Sequence, residues 1–223
     1  MTLFDRLKAD APEVWTSYVD HPFVRKLGQG DLPLDAFKHY LVQDYLFLIQ
    51  FARAYALAIY KSPDTGDMYQ ALEGVKAILD VELNLHLELC REWGLDRTAI
   101  ETAPEMTQTM AYTRFVLEAG MAGDLLDLQV ALAPCILGYA EIGRTLADRH
   151  GDGLHANPYR RWIDEYSGEA YTRVAAGFLA WIDQTADIYL TENRYPRLLK
   201  LFGKASALEA DFWQMGLNYP GKR

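Results

Sequence analysis

Apolar side chains recur at intervals of three and four residues along nearly every long segment of this chain. Strict alternation of apolar and polar residues over more than four positions, which is typical of half-buried strands, is scarce. The spacing therefore predicts helices throughout and an all-α fold. The predicted helices cover residues 3–19, 34–61, 67–93, 104–122, 124–150, 158–166, 169–190 and 196–217.

The breaks between the predicted helices are short clusters of turn residues. Examples are His21-Pro22, Ser62-Pro63 and Gly151-Asp152-Gly153, and none is long enough to act as an interdomain linker. Long helices joined by short connections form bundles with pockets between facing helices. A chain of 223 residues is also within the range that one helical core can fill. We therefore expect a single-domain helical bundle over residues 1–223, with its chemistry on inward-facing helix surfaces.

The charge balance restricts the possible partners. With 50% hydrophobic and 24% charged residues, the composition is that of a soluble globular protein. The net charge is -9 and the basic residues are scattered among acids, which opposes nucleic-acid binding. Charged residues interrupt the first 19 positions, and the longest uncharged run, residues 128–140, is too short to cross a bilayer. We therefore expect a cytoplasmic protein with neither a nucleic-acid nor a membrane partner.

Cys135 lies in that uncharged run, directly after Pro134 and three residues before Gly138. Inside a helix, Pro134 removes one backbone hydrogen bond and crowds the carbonyl four residues earlier, at a cost of about 3 kcal/mol. The sequence therefore predicts a bend beside the thiol, with room for a ligand against the sulfur. If the segment stays helical, Tyr139 lies on the same face as Cys135. The other cysteine, Cys90, lacks metal-ligand spacing, and we expect both thiols to stay reduced.

Asp44 is the only acid between Asp35 and Asp64, and large apolar side chains surround it in the sequence. Burial of a carboxylate without hydrogen bonds is costly, so an inward-facing Asp44 would be held by donors or reserved for a ligand. Alternatively, Asp44 reaches solvent or pairs with Arg53 or a neighbouring helix. Phe47, three residues on, shares the face of Asp44 and is by itself typical of a core residue.

Glu209 precedes Phe212 and Trp213 by one helical turn and borders an apolar aromatic face. A carboxyl group in such surroundings tends to have a raised pKa and can act as a general acid or base near neutral pH. The alternative is a solvated glutamate beside a core tryptophan.

Glu82 and His86 are four residues apart, a spacing that can seat a metal ion, and Glu141 is a further acid. Helix bundles with a metal pair need histidines and carboxylates from several helices, but residues 156–223 contain no histidine. We therefore expect no metal site. His86 is better explained as a structural partner for a carboxylate or a carbonyl.

Several common catalytic signatures are missing from the sequence. It contains no Gly-rich phosphate loop, no Gly-x-Ser-x-Gly and no Cys-x-x-Cys, so nucleotide-driven, serine-hydrolase and redox-pair chemistries lose support. The chain is rich in tyrosine, with 14 residues, and a few of them together could stack on a flat heteroaromatic ring. Aromatic residues that accompany the candidate polar groups are Tyr45, Tyr112, Tyr139, Tyr166 and Trp213.

At these positions the sequence resembles the TenA family of thiaminase II or aminopyrimidine aminohydrolases, from about residue 3 to residue 217. The matching motifs are Gln43-Asp44-Tyr45-x-Phe47, the segment around Glu82 and His86, Tyr112, Pro134-Cys135-x-x-Gly138-Tyr139-x-x-Ile142-Gly143, Trp162 to Tyr166, and Glu209-x-x-Phe212-Trp213. The resemblance implies a haem-oxygenase-like helical bundle and a homotetramer. It also implies a pocket for a 4-amino-2-methylpyrimidine ring and no requirement for a metal or an organic cofactor.

The resemblance also implies an activity. The family hydrolyses 4-amino-5-aminomethyl-2-methylpyrimidine to the 5-hydroxymethyl compound and ammonia, which salvages degraded thiamin, and many members also cleave thiamin. Cys135 matches the nucleophile that adds to the ring, Glu209 the acid and base, and Asp44 the acid that engages the amino edge of the ring and helps to set the thiol. Tyr166 matches a hydroxyl near the nucleophile. The aromatic walls are matched by Phe47, Tyr112 and Tyr139.

Two alternatives remain open from the sequence. Other bundles of this fold are oxygenases, including one that uses a metal pair, so the fold alone does not decide the function. A pyrimidine pocket would also serve a non-catalytic binding or regulatory protein with an idle thiol. Some relatives replace the central cysteine by a glutamate, and Cys135 places this chain with the cysteine-bearing type.

Overall fold

The computed structural model describes residues 1–219, apart from the side chain of Asp152. The last four positions of the expected 1–223 domain lie outside the described residues. Across residues 1–219 the secondary structure is helical, with no strand. The all-α prediction is therefore confirmed.

The α-helices follow one another through short connections. They are α1 Leu3–Asp10, α2 Pro12–Val19, α3 Pro22–Gln29, α4 Leu34–Lys61, α5 Thr65–Lys76, α6 Leu83–Glu92, α7 Arg97–Glu101, α8 Thr107–Ala122, α9 Leu125–Ala133, α10 Tyr139–His150, α11 Arg160–Ser167, α12 Glu169–Tyr189 and α13 Tyr195–Leu217. A π-helical turn, Ala77–Glu82, joins α5 to α6, and a second one, Pro134–Gly138, joins α9 to α10. A 3₁₀ turn, Gly151–Ala156, follows α10.

The structure contains three helices more than the sequence predicted in these regions, for identifiable reasons. The predicted helix 3–19 is two helices, because Pro12 begins α2 and cannot donate a hydrogen bond within a continuing helix. The sequence His21-Pro22 is a helix start rather than a simple break, since a proline at the first helical position is favourable and the His21 ring accepts a hydrogen bond from the Phe23 amide. Gly30, with φ of 79°, ends this unpredicted helix α3. The five-residue helix α7 was too short to predict from periodicity.

Backbone packing divides the chain into two compact units. The first unit contains Met1–Leu32 and Gln129–Gln214, and the second contains Pro33–Leu128 and, among the described residues, 215–219. Each unit is described by itself below. The single-domain organisation stays a prediction.

Aromatic side chains form the core of the first unit. The buried indole of Trp213 stacks on Phe23, with ring centroids 5.0 Å apart, and lies 5.3 Å from the ring of Tyr139. Trp15 stacks on Phe202 at 5.4 Å. Such offset and edge contacts add about 0.5–1.5 kcal/mol per pair to the hydrophobic stabilisation. In this unit the aromatic cluster fixes α2, α3, α10 and α13.

The longest element of the second unit is α4, which agrees with its predicted bounds at both ends. It packs against α5, α6 and α8 and buries large apolar side chains over most of its length. Because these helices cover α4 on several sides, polar groups on its buried faces need partners from them. Asp44 is one such group.

The continuous helical segment Leu125–His150 is long and apolar enough, by length and composition alone, to cross a membrane. Within the protein, however, 83% of its most apolar stretch is buried. A helix that is apolar on all sides and covered by protein is typical of the core of a soluble protein.

Candidate functional site

Cys135 lies in the π-helical turn Pro134–Gly138. The helix does not break at the proline; it accommodates the missing backbone donor by widening locally, and α9 continues into α10. The other four residues of the turn are buried, whereas Cys135 is partly exposed. Turns of this kind are frequent at functional sites. The predicted distortion beside the thiol is therefore present as a π turn, with Cys135 as its accessible residue.

Tyr18 supports this turn from α2. Its hydroxyl donates a hydrogen bond of 3.0 Å to the carbonyl oxygen of Pro134. The phenol ring reaches this position only because residue 138 is glycine, since a methyl group on Gly138 would overlap the Tyr18 ring. Tyr18 is completely buried. The turn that carries the thiol thus has a fixed hydrogen-bond donor on one side.

Tyr139 and Tyr166 are brought together in the first unit. Their rings meet edge to face with centroids 4.9 Å apart, and Tyr166 also packs on Trp162 at 4.5 Å. Gly143 makes this possible, because a methyl group there would lie 2.6 Å from the carbonyl oxygen of Tyr166. The backbones of α10 and α11 therefore touch beside two of the predicted site residues.

Glu209 is only 2% exposed. It lies on α13 one turn before Phe212 and Trp213, which are both buried. The alternative of a solvated glutamate is wrong. A buried carboxyl group beside an aromatic cluster is the setting that the general acid–base prediction requires.

Asp44 is 4% exposed and belongs to the second unit. Its Oδ2 atom accepts a hydrogen bond of 3.0 Å from the hydroxyl of Tyr40 and lies 2.5 Å from Nε2 of His86 on α6. Donors hold an inward-facing Asp44, as the first interpretation predicted, and one of them lies on a neighbouring helix, as one form of the alternative predicted. Asp44 neither reaches solvent nor pairs with Arg53, which donates to Gln50 instead.

His86 is 1% exposed and bridges two groups. Its Nδ1 atom lies 3.0 Å from the carbonyl oxygen of Glu82, at the end of the first π turn. Burial by itself lowers the pKa of the His86 imidazole, but the charge and the hydrogen bond of Asp44 outweigh burial, so this pKa is raised above its ordinary value. The expected structural role, as a partner for a carboxylate or a carbonyl, is confirmed for both kinds of group.

The two cysteines differ in reactivity. Both are thiols, as expected. Burial, reinforced by the negative charge of Asp44, raises the pKa of Cys90 to about 12, which keeps this thiol protonated and unreactive at neutral pH. The candidate nucleophile is therefore Cys135, the partly exposed thiol.

Phe47 and Tyr112 form one apolar wall in the second unit. Their ring centroids are 5.0 Å apart with an interplanar angle of 34°, and both rings are buried. At this separation no ring fits between them, so a ligand would lie against the pair. Asp44 belongs to the same unit as these two rings. That all the predicted site residues act on one substrate stays a prediction.

Comparison with known proteins identifies the relatives of this chain. The model of the TENA/THI-4/PQQC family matches residues 8–219. The chain belongs to this family.

Individual TENA/THI-4/PQQC relatives match over almost the whole chain. An uncharacterized protein of Haemophilus influenzae is 37% identical over 216 residues, covering 97% of this chain and 99% of the relative. An aminopyrimidine aminohydrolase of Halalkalibacterium halodurans is 32% identical over 218 residues, covering 98% and 96%. The second match agrees with the hydrolase class that the sequence resemblance implies.

Solved structures confirm the fold. A TenA family transcription regulator from Silicibacter sp. TM1040 superposes with a TM-score of 0.92 at 42% identity, covering 97% of this chain and 96% of that one. A domain of unknown function from Shewanella denitrificans, described as having a heme oxygenase-like fold, gives a TM-score of 0.74 at 12% identity and covers 96% and 91%. The second likeness concerns the fold alone, and it confirms the haem-oxygenase-like prediction.

Among residues 1–219, apart from the undescribed side chain, no group of three or more His, Cys, Asp and Glu side chains is arranged to hold a metal ion. Of the residues considered for such a site, Glu82 contacts His86 through its backbone carbonyl oxygen. The carboxylate of Glu141 accepts hydrogen bonds from Lys8 at 2.8 Å and from Trp15 at 3.0 Å.

Sequence reasoning missed two supporting residues, Tyr40 and Tyr18. Tyr40 lies four residues before Asp44 on the same helix, so the spacing alone could have indicated its hydrogen bond. Tyr18 is 116 positions from Pro134, and no local pattern indicates that contact. Gln43, which was noted only as part of a motif, donates to Pro104 and accepts from Met106 and Thr109, and so ties the start of α8 to α4 beside Asp44.

Proposed function

We propose that this chain is an aminopyrimidine aminohydrolase. It hydrolyses 4-amino-5-aminomethyl-2-methylpyrimidine to the 5-hydroxymethyl compound and ammonia in thiamin salvage, and it also cleaves thiamin to hydroxymethylpyrimidine and the thiazole. The observation that carries the proposal is the position of Cys135, the partly exposed thiol on a π turn of an otherwise buried helix. The relative from Halalkalibacterium halodurans that bears this name supports it over 98% of the chain.

Direct displacement at the exocyclic methylene is difficult, so we propose covalent catalysis through the ring. The Cys135 thiolate forms a bond to a ring carbon, and the displaced electron pair is delocalised into the ring as a ring nitrogen takes up a proton. This electron pair then expels the amine, which leaves as ammonia after protonation. Water adds to the resulting exocyclic methylene, the carbon–sulfur bond breaks, and the aromatic ring is restored.

Glu209 supplies and accepts the protons in these steps. As an acid it protonates the departing amine, and as a base it takes the proton of the attacking water. Its burial beside an aromatic cluster supports this role, because a carboxyl group there is shielded from bulk water and can exchange protons with a bound ligand. Tyr166 contributes a hydroxyl near the nucleophile.

The remaining residues bind the substrate. Asp44 engages the amino edge of the pyrimidine, which suits a carboxyl group that Tyr40 and His86 already hold in one orientation. Phe47, Tyr112 and Tyr139 supply apolar surface for the ring. The buried contact between Phe47 and Tyr112 supports their part of this role, since it fixes both rings before a ligand binds.

We also propose that the protein is a cytoplasmic homotetramer. The second unit leaves large apolar side chains exposed, among them Tyr60 at 81% and Tyr69 at 68%. Exposed aromatic side chains are enriched at protein–protein interfaces. Light scattering coupled to gel filtration tests the assembly, and a monomer of about 25 kDa at micromolar concentration would contradict it.

The decisive experiment measures ammonia release from 4-amino-5-aminomethyl-2-methylpyrimidine, with EDTA present and thiamin as a parallel substrate. The variants are Cys135→Ala and, as the matched control, Cys90→Ala. We expect turnover to survive EDTA and Cys90→Ala and to collapse in Cys135→Ala. No turnover of either compound by the folded wild type would contradict the hydrolase proposal.

A non-catalytic pyrimidine-binding or regulatory protein is the second candidate. The Silicibacter relative, described as a transcription regulator, favours it. The net charge of -9 opposes direct DNA binding, so a regulatory role would have to act through a protein partner. Tight binding of the aminopyrimidine without turnover would support this second candidate.

A further inference from the structure

Helices α4 and α8 of the second unit pack side by side in the same direction. Phe47 on α4 meets Tyr112 on α8, and these two rings are called the aromatic wall below. Further along both helices, a methyl group on Gly120 would lie 2.8 Å from a side-chain carbon of Leu57. Because the residue numbers rise together in these pairs, the two helices are parallel. The register of α8 along α4 therefore decides which side chains meet.

A side chain of α4 caps the N-terminus of α8. Oε1 of Gln43 accepts a hydrogen bond of 2.9 Å from the Met106 amide and another of 2.6 Å from the Thr109 hydroxyl. Met106 occupies the N-cap position of α8, and its own side chain makes no capping hydrogen bond. The acceptor that this helix end needs is thus supplied by the neighbouring helix.

The C-terminus of α8 is also held by α4. Nζ of Lys61 donates to the carbonyl oxygens of Met121 and Gly123, at 3.3 Å and 2.8 Å. Carbonyl groups in the last turn of a helix have no partner within the helix, and a lysine there is favourable. Helix α8 is therefore anchored on α4 at both of its ends.

The contact between Gln43 and Thr109 lies one turn from the aromatic wall. Gln43 precedes Phe47 by four residues and Thr109 precedes Tyr112 by three, so each polar residue shares a helix face with one ring. Thr109 is completely buried and Gln43 is 2% exposed. A slip of α8 by one residue would break this hydrogen bond, with a shift of about 1.5 Å and a rotation of about 100°, and would turn Tyr112 away from its partner ring.

We propose that Gln43 and Thr109 are positioning residues whose hydrogen bond sets the register of α8 and so places the aromatic wall for the pyrimidine ring. The hydrogen bond does not touch the reacting atoms. Its loss therefore weakens binding of every ligand that has this ring and leaves the chemical step unchanged. This inference rests on the proposed function, because that function gives the aromatic wall its ligand.

The test breaks the contact from either side. Thr109→Val keeps the shape of the side chain without its hydroxyl, and Gln43→Met keeps the length without the amide. Calorimetry measures the Kd of 4-amino-2,5-dimethylpyrimidine, whose 5-methyl group carries no leaving group, and steady-state assays use the aminomethyl substrate. We expect Kd and KM to rise about tenfold in both variants, with kcat little changed. Thr109→Ser retains the hydroxyl and should restore the wild-type Kd.

Two controls separate positioning from stability. Thr113→Val removes another buried hydroxyl of α8, one whose hydrogen bonds stay within α8. Lys61→Met removes the cap at the end of α8 remote from Thr109. Both should lower the midpoint of thermal unfolding and leave Kd as in the wild type. An unchanged Kd in Thr109→Val, or a Kd that rises in the controls in proportion to the lost stability, would overturn the proposal.

Hydrogen exchange of the wild type gives a test that needs no variant. Binding and register are linked, so a ligand that is favoured tenfold by the contact must favour the contact by about the same factor. Exchange of the Met106 amide, which donates to Gln43, should slow about tenfold with saturating ligand, whereas the Gly123 amide should exchange at an unchanged rate. Equal exchange of Met106 with and without the ligand would overturn the proposal, even if neither variant of the contact folded.

These measurements also separate the inference from the proposed function, because calorimetry and hydrogen exchange need no turnover. A wild type that releases no ammonia but binds the 4-amino ligand more tightly than Thr109→Val would contradict the hydrolase and retain the positioning role. A wild type that turns over substrate, with the same Kd as Thr109→Val, would retain the hydrolase and contradict the positioning role.

Discussion

Gly143 on α10 lies directly against the backbone of Tyr166 on α11. A methyl group at position 143 would fall 2.6 Å from the Tyr166 carbonyl oxygen and 2.7 Å from the Ser167 nitrogen. Backbone atoms cannot rotate away as a flexible side chain can, so the two helices would have to separate. The orientation of Tyr166 therefore depends on the absence of a side chain on the facing helix.

We predict that Gly143→Ala lowers the free energy of unfolding by about 1–3 kcal/mol, because it overpacks this helix contact. Thermal unfolding should show a lower midpoint, by about 2–4 °C for each kcal/mol in a protein of this size. The matched control is Gly177→Ala on α12, where an added methyl group meets no atom within 4 Å. Since alanine is the better helix former, this control should be neutral or stabilising by up to about 1 kcal/mol. Equal midpoints for Gly143→Ala and the wild type would refute the contact.

Tyr18→Phe should impair catalysis through the turn that carries Cys135. The variant keeps the ring beside Gly138 but leaves the Pro134 carbonyl without this donor, at a cost of about 1–3 kcal/mol in unfolding free energy. We expect a lower kcat for ammonia release, with binding of an unreactive 4-amino ligand, 4-amino-2,5-dimethylpyrimidine, little changed. Tyr189→Phe, at the partly exposed end of α12, serves as the control for removal of a phenol hydroxyl. An unchanged kcat in Tyr18→Phe would show that the turn does not need this support.

Glu209→Gln should retain the shape of the site and lose proton transfer. General acid–base catalysis contributes about 10²–10⁴-fold, so we expect kcat to fall by a factor in this range while the affinity for the 4-amino ligand persists. Fixed-time assays of product formation from the aminomethyl substrate and from thiamin measure the fall in kcat. Glu118→Gln on the exposed side of α8 is the control. A Glu209→Gln variant with wild-type kcat would remove Glu209 from the mechanism.

The stability of the protein should depend on the ionisation of His86. Because the pKa of His86 is raised in the folded state, the native protein retains this proton at pH values where the unfolded chain releases it. The stabilisation is thus complete below the ordinary histidine pKa of about 6.5 and is lost as the pH rises through the folded pKa. Urea unfolding at a series of pH values should show this decline in the wild type.

The variant His86→Gln should lack that part of the pH dependence, whereas His155→Gln, at an exposed position, should retain it. Curves of unfolding free energy against pH that are parallel in the wild type and in His86→Gln would show that His86 is not the responsible group.

Local sequence patterns predicted the helices better than the contacts between residues that are far apart in the sequence. The bounds of α4 agree at both ends, because a long apolar periodicity stops at a proline on one side and at Ser62-Pro63 on the other. For Glu209, the aromatic neighbours in the same helix left burial and exposure to solvent both open, and only the structure decides for burial. In contrast, the contact between Asp44 and His86 joins residues 42 positions apart, and periodicity predicts only that each needs a partner.

The π turns could not be predicted for a related reason. One additional residue in a helical turn barely changes an apolar pattern, so the sequence around Cys135 indicated a distortion without its kind. In the segment before His86, no proline or glycine marks the turn Ala77–Glu82 at all. Whether the helix widens there depends on which neighbours its side chains meet.

Each packing unit thus contains one π turn close to a candidate residue, Ala77–Glu82 before His86 and Pro134–Gly138 around Cys135. A π turn is equivalent to a regular helix with one inserted residue, and it shifts the angular phase of everything that follows by about 100°. Deletion of a single residue from either turn would restore an ordinary helix and rotate its downstream half away from its present neighbours. The directions of the thiol and of the imidazole are therefore set by the number of residues in a turn, as well as by their identity.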